Sequence, residues 1–193
     1  MEKQVLLDRI ATDIIERNVC PHLAKTAQRL VMGAGNPDAD IMFIGEAPGK
    51  KEDETGLPFV GASGKFLDEL LASIYLKRDD VFITSIVKYR PPNNRDPKPD
   101  EKAAFLPYLQ RQIEVIEPRI IVPLGRHGME SFLPGARISN IHGQPQQVTV
   151  GLRTVTVLPL YHPAAALYNG SMRQTLVEDF AVLKQYIEKT PLS

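Results

Sequence analysis

Cysteine is almost absent from this chain, in which Cys20 is the single one among 193 residues. One thiol excludes an intrachain disulfide, and it cannot supply the several thiolates that a zinc or iron–sulfur site of the usual kind requires. The histidines are few and form neither an HExxH motif nor another paired spacing; they are His22, His127, His142 and His162. We therefore expect a protein with no metal site and no cofactor.

Long apolar runs and an excess of charge of one sign are also absent. No run approaches the roughly 20 apolar residues of a membrane span. Residues 1–4, MEKQ, begin a charged amphipathic stretch rather than the apolar core of a signal peptide. Lysine and arginine number 23, as do aspartate and glutamate, so the net charge is zero. We expect a cytoplasmic protein without membrane contact, in which any DNA binding depends on a local basic patch.

The overall composition is that of a globular protein, with 43% hydrophobic and 24% charged residues. The length suits one ordinary domain, and the sequence shows neither an internal repeat nor a linker. We therefore expect residues 1–193 to form a single domain and the protein to be a monomer.

Several short apolar segments have the composition of buried β-strands and are bounded by Gly, Pro or Asp. They lie at residues 41–44, 81–84, 119–124 and 155–158. Because near-continuous apolar strands are typical of sheets covered on both faces, they predict a parallel arrangement. Helical stripes alternate with them, as in Val5 or Leu6 followed by Ile10 and Ile14. We expect the α/β class, as a three-layer α/β/α sandwich with a central, mostly parallel four-stranded sheet.

Ligands of open α/β sheets bind beyond the carboxyl ends of the strands, and a loop with unusual chemistry follows the first strand. This loop, residues 45–61, is rich in Gly and Pro and contains Glu46, Glu52 and Phe59. Either its backbone N–H groups approach a ligand on which Phe59 stacks, or it is a surface loop whose Phe59 fills the core. It matches neither GxGxxG nor GxxxxGK[ST], so dinucleotide and P-loop sites lack their motif.

Two further segments follow predicted strands. Residues 88–98 concentrate basic side chains, namely Lys88, Arg90, Arg95 and Lys98. Such a run indicates either phosphate binding or a solvated charged surface. His162 comes directly after the last strand, where a catalytic and a structural role are both open. Together the three segments suit a pocket that stacks a planar base, polarises its carbonyl and guides water to a sugar carbon.

Three ordered motifs carry a resemblance to a known family. Residues 45–64 read GEAPGKKEDETGLPFVGASG, residues 87–95 read VKYRPPNNR, and residues 161–164 read YHPA. They resemble motifs of the family 4 uracil-DNA glycosylases, and residues 33–39 and 120–125 are similar to that family as well. The resemblance covers nearly the whole chain, and its first motif is long and ordered.

This resemblance implies hydrolysis of the N-glycosidic bond of a uracil that is flipped out of single- or double-stranded DNA. The product is an abasic site, an intermediate of base excision repair. The resemblance also implies that Phe59 stacks on the flipped base, that Ala47 and Ser85 contact it, and that His162 donates to its oxygen as the bond breaks.

The resemblance further implies a carboxylate that stabilises the cationic sugar and orients water. Glu46 and Glu52 are the candidates, and the sequence does not decide between them. Leu167 would be a wedge that fills the space left by the base. The other DNA contacts that the resemblance implies are Pro48, Gly49, Lys88, Arg90, Asn94, Arg95, Pro163 and Ala164.

Two departures from the family pattern change these expectations. Family 4 members carry four cysteines that hold a 4Fe–4S cluster, and the corresponding positions here are Asn18, Pro21, Tyr89 and Phe105. The family also places Asn where this chain has Ser85, whose hydroxyl cannot match a donor and an acceptor of uracil at once. The alternatives are a glycosylase for another deaminated base such as hypoxanthine or xanthine, a catalytically weak DNA-binding relative, and a nucleoside hydrolase.

Overall fold

A six-stranded sheet forms the middle layer of the computed structural model, which describes residues 2–190. In chain order, its strands are β1 (Ala34–Gly35), β2 (Ile41–Gly45), β3 (Phe82–Ser85), β4 (Ile120–Pro123), β5 (Gln146–Val150) and β6 (Arg153–Val157). Their spatial order is β1-β3-β2-β4-β6-β5. The four central strands are parallel, and the two edge strands pair antiparallel to their neighbours.

The four central strands are those that the sequence predicts, but the predicted number of strands omits both edges. β1 has only two residues, and β5 reads QQVTV with side chains that alternate between half-buried and exposed. Neither strand has the continuous apolar run of a strand covered on both faces, so that criterion could not detect them. The prediction of a mostly parallel sheet is confirmed.

Helices of very different lengths lie before, between and after these strands. They are α1 (Glu2–Glu16), α2 (Pro21–Ala24), α3 (Lys50–Thr55), α4 (Ala62–Ser73), α5 (Pro99–Ile116), α6 (Gly125–Glu130), α7 (Ile138–Ile141), α8 (Ala165–Tyr168) and α9 (Gly170–Lys189). Short 3₁₀ turns lie at Arg78–Asp80 and Pro92–Asn94. Among residues 2–190, none of the helices has the length and apolar character needed to cross a membrane.

The two faces of the sheet bury separate hydrophobic clusters, as β2 illustrates. Its Met42 and Ile44 belong to one cluster with the inner sides of α1 and α5, whereas Ile41 and Phe43 belong to a second cluster with α4 and α9. This division follows from the period of two residues along a strand. The three-layer α/β/α prediction is therefore confirmed.

The first helix buries a stripe that differs by one position from the predicted one. Leu7, Ile10 and Ile14 are buried, whereas Val5 and Leu6 remain 47% and 37% exposed. Spacings of three and four residues place the buried three on one helical face. This face packs against α5 in the cluster described above.

Candidate active site

A cleft of about 400 Å³ opens where β2 and β3 end and where the chain leaves β6. It lies at the edge of the sheet where ligands of parallel α/β folds bind. Many of the predicted site residues line it, namely Glu46, Ala47, Pro48, Gly49, Glu52, Phe59, Ser85, Asn94, Arg95, His162 and Ala164. The structure therefore brings the three predicted segments together.

Several lining residues were not identified from the sequence. They are Val31, Pro58, Ser63, Pro91, Asp96 and Pro97. Pro58, Ser63 and Pro91 lie within the recognised motifs, and Asp96 and Pro97 lie within the basic segment 88–98, so their places in these segments were the available signal. Val31 precedes β1 and has no local signal in the sequence. Its N–H donates to the carbonyl of Lys88, which is distant in the chain.

The rings of Phe59 and His162 lie against each other in the cleft, with centroids 5.5 Å apart and planes inclined by 26°. Phe59 is 7% exposed and belongs to the cluster that α4 and α9 cover. Gly45 permits this position, since a Cβ at residue 45 would come within 2.7 Å of the Phe59 ring. Phe59 is therefore part of the core and a wall of the cleft, so its two predicted roles are compatible.

The imidazole of His162 is neutral around pH 7. Burial lowers its pKa to about 4, although the negative charge of Glu52 acts in the opposite direction. The Nδ1 atom accepts a hydrogen bond from the backbone N–H of Ala164 at 3.1 Å. A neutral imidazole that accepts at Nδ1 carries its proton on Nε2, so His162 can donate a hydrogen bond to a ligand.

The carboxylate of Glu52, in α3, holds the loop that contains Phe59. Its Oε1 accepts hydrogen bonds from the backbone N–H groups of Val60 and Gly61 at 2.9 and 3.0 Å. Its Oε2 lies next to Gly49, where a Cβ would come within 2.9 Å of it. Glu52 thus joins the start of the first site segment to its end.

The carboxyl group of Glu46 is in a different environment. Within the described part of the chain, its Oε1 is buried and has no hydrogen-bond partner. Burial and, to a smaller extent, the charge of Asp96 raise its pKa to about 7. The nearest imidazole is that of His127, whose Nε2 lies 3.7 Å from Oε1. A carboxyl group with a pKa near neutrality is typical of acid–base catalysis.

Glu46, Asp96 and His127 present possible metal ligands within 4.8 Å of one another. However, basic side chains already contact the imidazole. The Nζ of Lys102 is 3.3 Å from Nδ1 of His127, and the Nε of Arg126 is 3.1 Å from Nε2. These two cations balance the carboxylates and would repel a metal ion.

Lys88 is not at the surface of the molecule, and its prediction as a phosphate contact is wrong. The residue is fully buried, and burial lowers the pKa of its amine to about 7. Its Nζ donates to the hydroxyl of Thr84 at 2.7 Å, to the carbonyl of Ser85 at 2.6 Å and to Gln112 Oε1 at 2.5 Å. Lys88 therefore supports the strand end that carries Ser85 from inside the fold.

Arg95 lines the cleft, but its guanidinium is engaged by a carboxylate. Nη1 and Nη2 donate to the two oxygens of Glu101 at 2.8 and 2.6 Å. Glu101 is fully buried, and Arg95 is the main cause that lowers its pKa to about 2. Arg90 instead donates from Nε to the side chain of Asn94 at 2.7 Å, at the surface. Of the basic run, Arg90 and Lys98 are thus the cations for which residues 2–190 provide no such buried partner.

The remaining predicted residues lie on β3 and in the segment after β6. Ser85 ends β3 and is 5% exposed. Pro163 is buried, whereas Leu167 on α8 is 45% exposed. Its neighbour Tyr168 is 91% exposed.

The positions that correspond to the family's cluster cysteines cannot hold an iron–sulfur cluster. The rings of Tyr89 and Phe105 are in edge-to-face contact, with centroids 6.0 Å apart. Cys20 is buried in the same hydrophobic cluster, and burial, together with Glu101, raises the pKa of its thiol to about 11. A protonated thiol and an aromatic pair offer no set of thiolate ligands.

Comparison with known proteins identifies the family. The model of the uracil DNA glycosylase superfamily matches residues 32–187. Type-4 uracil-DNA glycosylases from Sulfurisphaera tokodaii and Saccharolobus solfataricus are 45% and 46% identical, covering 93% and 97% of this chain and 84% and 89% of their own. One from Thermotoga maritima is 40% identical, with 97% of both chains covered. The chain therefore belongs to the uracil DNA glycosylase superfamily, and its relatives there include type-4 enzymes.

Proposed function

We propose that this protein is a DNA glycosylase that hydrolyses the N-glycosidic bond of uracil in DNA and leaves an abasic site for base excision repair. The observation that carries this proposal is the pairing of a neutral His162 with Phe59 in one cleft. A cleft of about 400 Å³ is within the range of small-ligand sites, so a single flipped base can enter it. The relatives' names point to the same substrate.

In the proposed reaction, the base leaves the DNA stack and rests on the face of Phe59. As the bond between the base and C1′ of the sugar breaks, the electron pair moves onto the base, and negative charge develops on its oxygen. The Nε2–H of His162 donates a hydrogen bond to that oxygen. Because the imidazole is already neutral and held at Nδ1 by Ala164, it needs no reorganisation during the reaction.

The two carboxyl groups have separate proposed roles. Glu46 has an oxygen without a partner in the described chain, so we assign it the orientation of water towards C1′ and the acceptance of its proton. Glu52 is committed to two backbone N–H groups. Its proposed role is to hold the stacking loop and to contribute negative charge near the cationic sugar.

An excision assay on labelled oligonucleotides tests the proposal. Substrates would contain uracil in single strands, opposite guanine or opposite adenine, and abasic products would be cleaved by alkali. We expect His162→Ala to lower the single-turnover rate by about 10²–10³. Gln174→Ala is the control, because Gln174 is exposed on α9, where its side chain contacts Glu178, and it lies outside the cleft. Equal, non-zero rates for wild type and His162→Ala would contradict the role of His162. If neither form excised any deaminated base, the glycosylase proposal itself would be wrong.

Ser85 favours a second candidate, a glycosylase for hypoxanthine or xanthine. A short hydroxyl leaves more room than an amide and pairs with only part of the uracil edge. We expect weak excision of uracil, with single-stranded or mispaired uracil preferred, and an increase on Ser85→Asn. A decrease on Ser85→Asn, with faster native excision of a deaminated purine, would favour the second candidate. Binding without excision of any base would indicate a non-catalytic relative.

Several properties of the working enzyme are part of this proposal. DNA is the partner, in single- or double-stranded form, and the protein acts as a monomer formed by one domain over residues 1–193. The proposal also places the protein in the cytoplasm. Sedimentation of the free protein and of its complex with a short uracil oligonucleotide tests the monomer.

A further inference from the structure

We infer that Arg78 is a positioning residue for Phe59, which it holds in place from outside the cleft; the inference rests on the proposed stacking role of Phe59. Arg78 begins the short 3₁₀ turn between α4 and β3. Its Nη1 donates to the carbonyl of Pro58 at 2.9 Å, and its Nη2 donates to the carbonyl of Phe59. One guanidinium thus binds two successive carbonyl groups of the turn that presents the ring.

This turn requires external support because of its backbone conformation. Phe59 has a φ of +51°, in the left-handed region that a bulky side chain rarely adopts. Such a conformation persists only when the surroundings determine it. Gly64, in the first turn of α4, allows one part of that support, since a Cβ there would come within 1.8 Å of the Phe59 carbonyl oxygen.

The support on the two sides of the turn is complementary. On the cleft side, the carboxylate of Glu52 accepts from the N–H groups of Val60 and Gly61. On the other side, Arg78 binds the carbonyls of Pro58 and Phe59. The negatively charged carboxylate therefore binds the N–H donors of the turn, and the positively charged guanidinium binds its carbonyl acceptors. Both sets of hydrogen bonds are strengthened by the charge.

Arg78 does not line the cleft, so it can affect a bound base only through the turn. It lines a separate cavity of about 440 Å³ on the other side of Phe59. Its guanidinium is held there by Asp68 of α4, whose Oδ1 accepts from Nε at 2.5 Å. The ring position is thereby linked to α4 as well as to the start of β3.

The contacts require the shape of an arginine side chain. A guanidinium is planar and has five N–H donors in a fixed geometry, so it can bind Asp68 and both carbonyls at once. A lysine has one ammonium centre and cannot reproduce this arrangement. We therefore expect Arg78→Lys to keep the positive charge and the fold but to restore excision only in part.

A double-mutant cycle separates positioning from general stability. Single-turnover excision of uracil would be measured with saturating enzyme for wild type, Arg78→Met, Phe59→Ala and the double variant. We expect Arg78→Met to lower the rate about 10- to 100-fold when Phe59 is present, as for a small displacement of a catalytic group. In the Phe59→Ala background, we expect the same change to have little effect. Arg153→Met is the matched control, because Arg153 forms an exposed ion pair with Glu117 away from the cleft.

An equal loss from Arg78→Met in both backgrounds would overturn the inference and indicate a role in stability alone. An unchanged rate for Phe59→Ala would remove the stacking role and this inference, whereas excision by the wild type would still support the glycosylase proposal. If Arg78→Met does not fold, Arg78→Lys replaces it in the cycle. Full activity of Arg78→Lys would also contradict the inference, because it would show that the fork of donors is unnecessary.

Discussion

Burial disfavours the charged form of a side chain, so it lowers the pKa of a basic residue in the cleft and raises that of an acidic one. It lowers the pKa of His162 to about 4 and raises that of Glu46 to about 7. The neutral form of the histidine is therefore favoured at physiological pH. The stability of the fold declines as the pH falls from about 6.5 towards about 4, because the unfolded chain takes up the proton more readily than the folded one. The carboxyl group of Glu46 stabilises the fold in its protonated form, so stability declines as the pH rises through the window between its unfolded pKa and about 7.

The raised pKa of Glu46 predicts the pH dependence of excision. If its carboxylate accepts a proton from water, the single-turnover rate of the wild type rises with pH up to about 7 and then becomes constant. Glu46→Gln should lower the plateau about 10²-fold or more and abolish this dependence. Glu52→Gln should instead weaken the loop and lower the rate while leaving the pH profile in place. An unchanged pH profile in Glu46→Gln would contradict the assignment.

Lys88 and Lys98 belong to the same basic run, but their truncation should affect the stability of the fold very differently. Lys88→Ala leaves a cavity and removes a donor from three buried acceptors, so we expect a loss of about 2–5 kcal/mol of stability. Lys98 is exposed, so Lys98→Ala should leave the melting temperature nearly unchanged. Thermal melting and DNA binding at several salt concentrations provide the measurements. A flatter salt dependence for Lys88→Ala would place its amine at the surface.

At the scale of elements, a buried carboxylate in the first turn of α5 holds the segment that leads from β3 to that helix. Glu101 accepts hydrogen bonds from the guanidinium of Arg95, from the backbone N–H of Lys98 at 2.8 Å and from His22 of α2 at 2.8 Å. The cleft-lining residues Asn94 and Asp96 are part of this segment. Glu101 therefore fixes one wall of the cleft and connects it to the N-terminal region.

This arrangement predicts different effects for the two arginines of the segment. Arg95→Ala removes the main partner of a buried carboxylate, so we expect it to cost about 3 kcal/mol of stability. Arg90→Ala should leave stability almost unchanged and lower the log–log salt slope of duplex binding by about 0.9 for each phosphate that the guanidinium neutralises. If Arg95→Ala flattened the slope without lowering the melting temperature, its role would be phosphate binding instead.

For the molecule as a whole, two properties are unusual for a DNA-binding protein of its family, namely the net charge of zero and the single cysteine. The total charge supplies no attraction to DNA, so we propose that local cations such as Arg90 and Lys98 supply it. Aromatic and aliphatic packing around Tyr89, Phe105 and Cys20 stabilises the region where the family places its cluster.

The packing around Tyr89 and Phe105 predicts a colourless, iron-independent enzyme. The purified protein should have no broad absorbance near about 400 nm and no stoichiometric iron, because one thiol cannot hold a cluster. Excision should be unchanged after incubation with a strong chelator. A brown preparation with about four irons per chain, whose activity is lost on chelation, would contradict this prediction.

Local patterns along the chain were sufficient to predict the four central strands, the layer arrangement and the loops that form the cleft. Apolar runs mark 41–44 and 119–124, and the order of motifs places Glu46, Phe59 and His162 after strand ends. The rule that carboxyl ends of parallel strands share one edge was then enough to predict that these residues come together.

Which charged side chains face the cleft and which are buried beneath it depends on tertiary packing alone. Lys88 and Arg90 are two residues apart, yet Lys88 is fully buried and Arg90 is not. The partners that cause such differences are distant in the chain, as Gln112 is for Lys88 and as Arg78 is for Phe59. The edge strands likewise depend on neighbours rather than on their own composition. Burial and pairing are properties of surfaces that meet only after folding, so no local pattern encodes them.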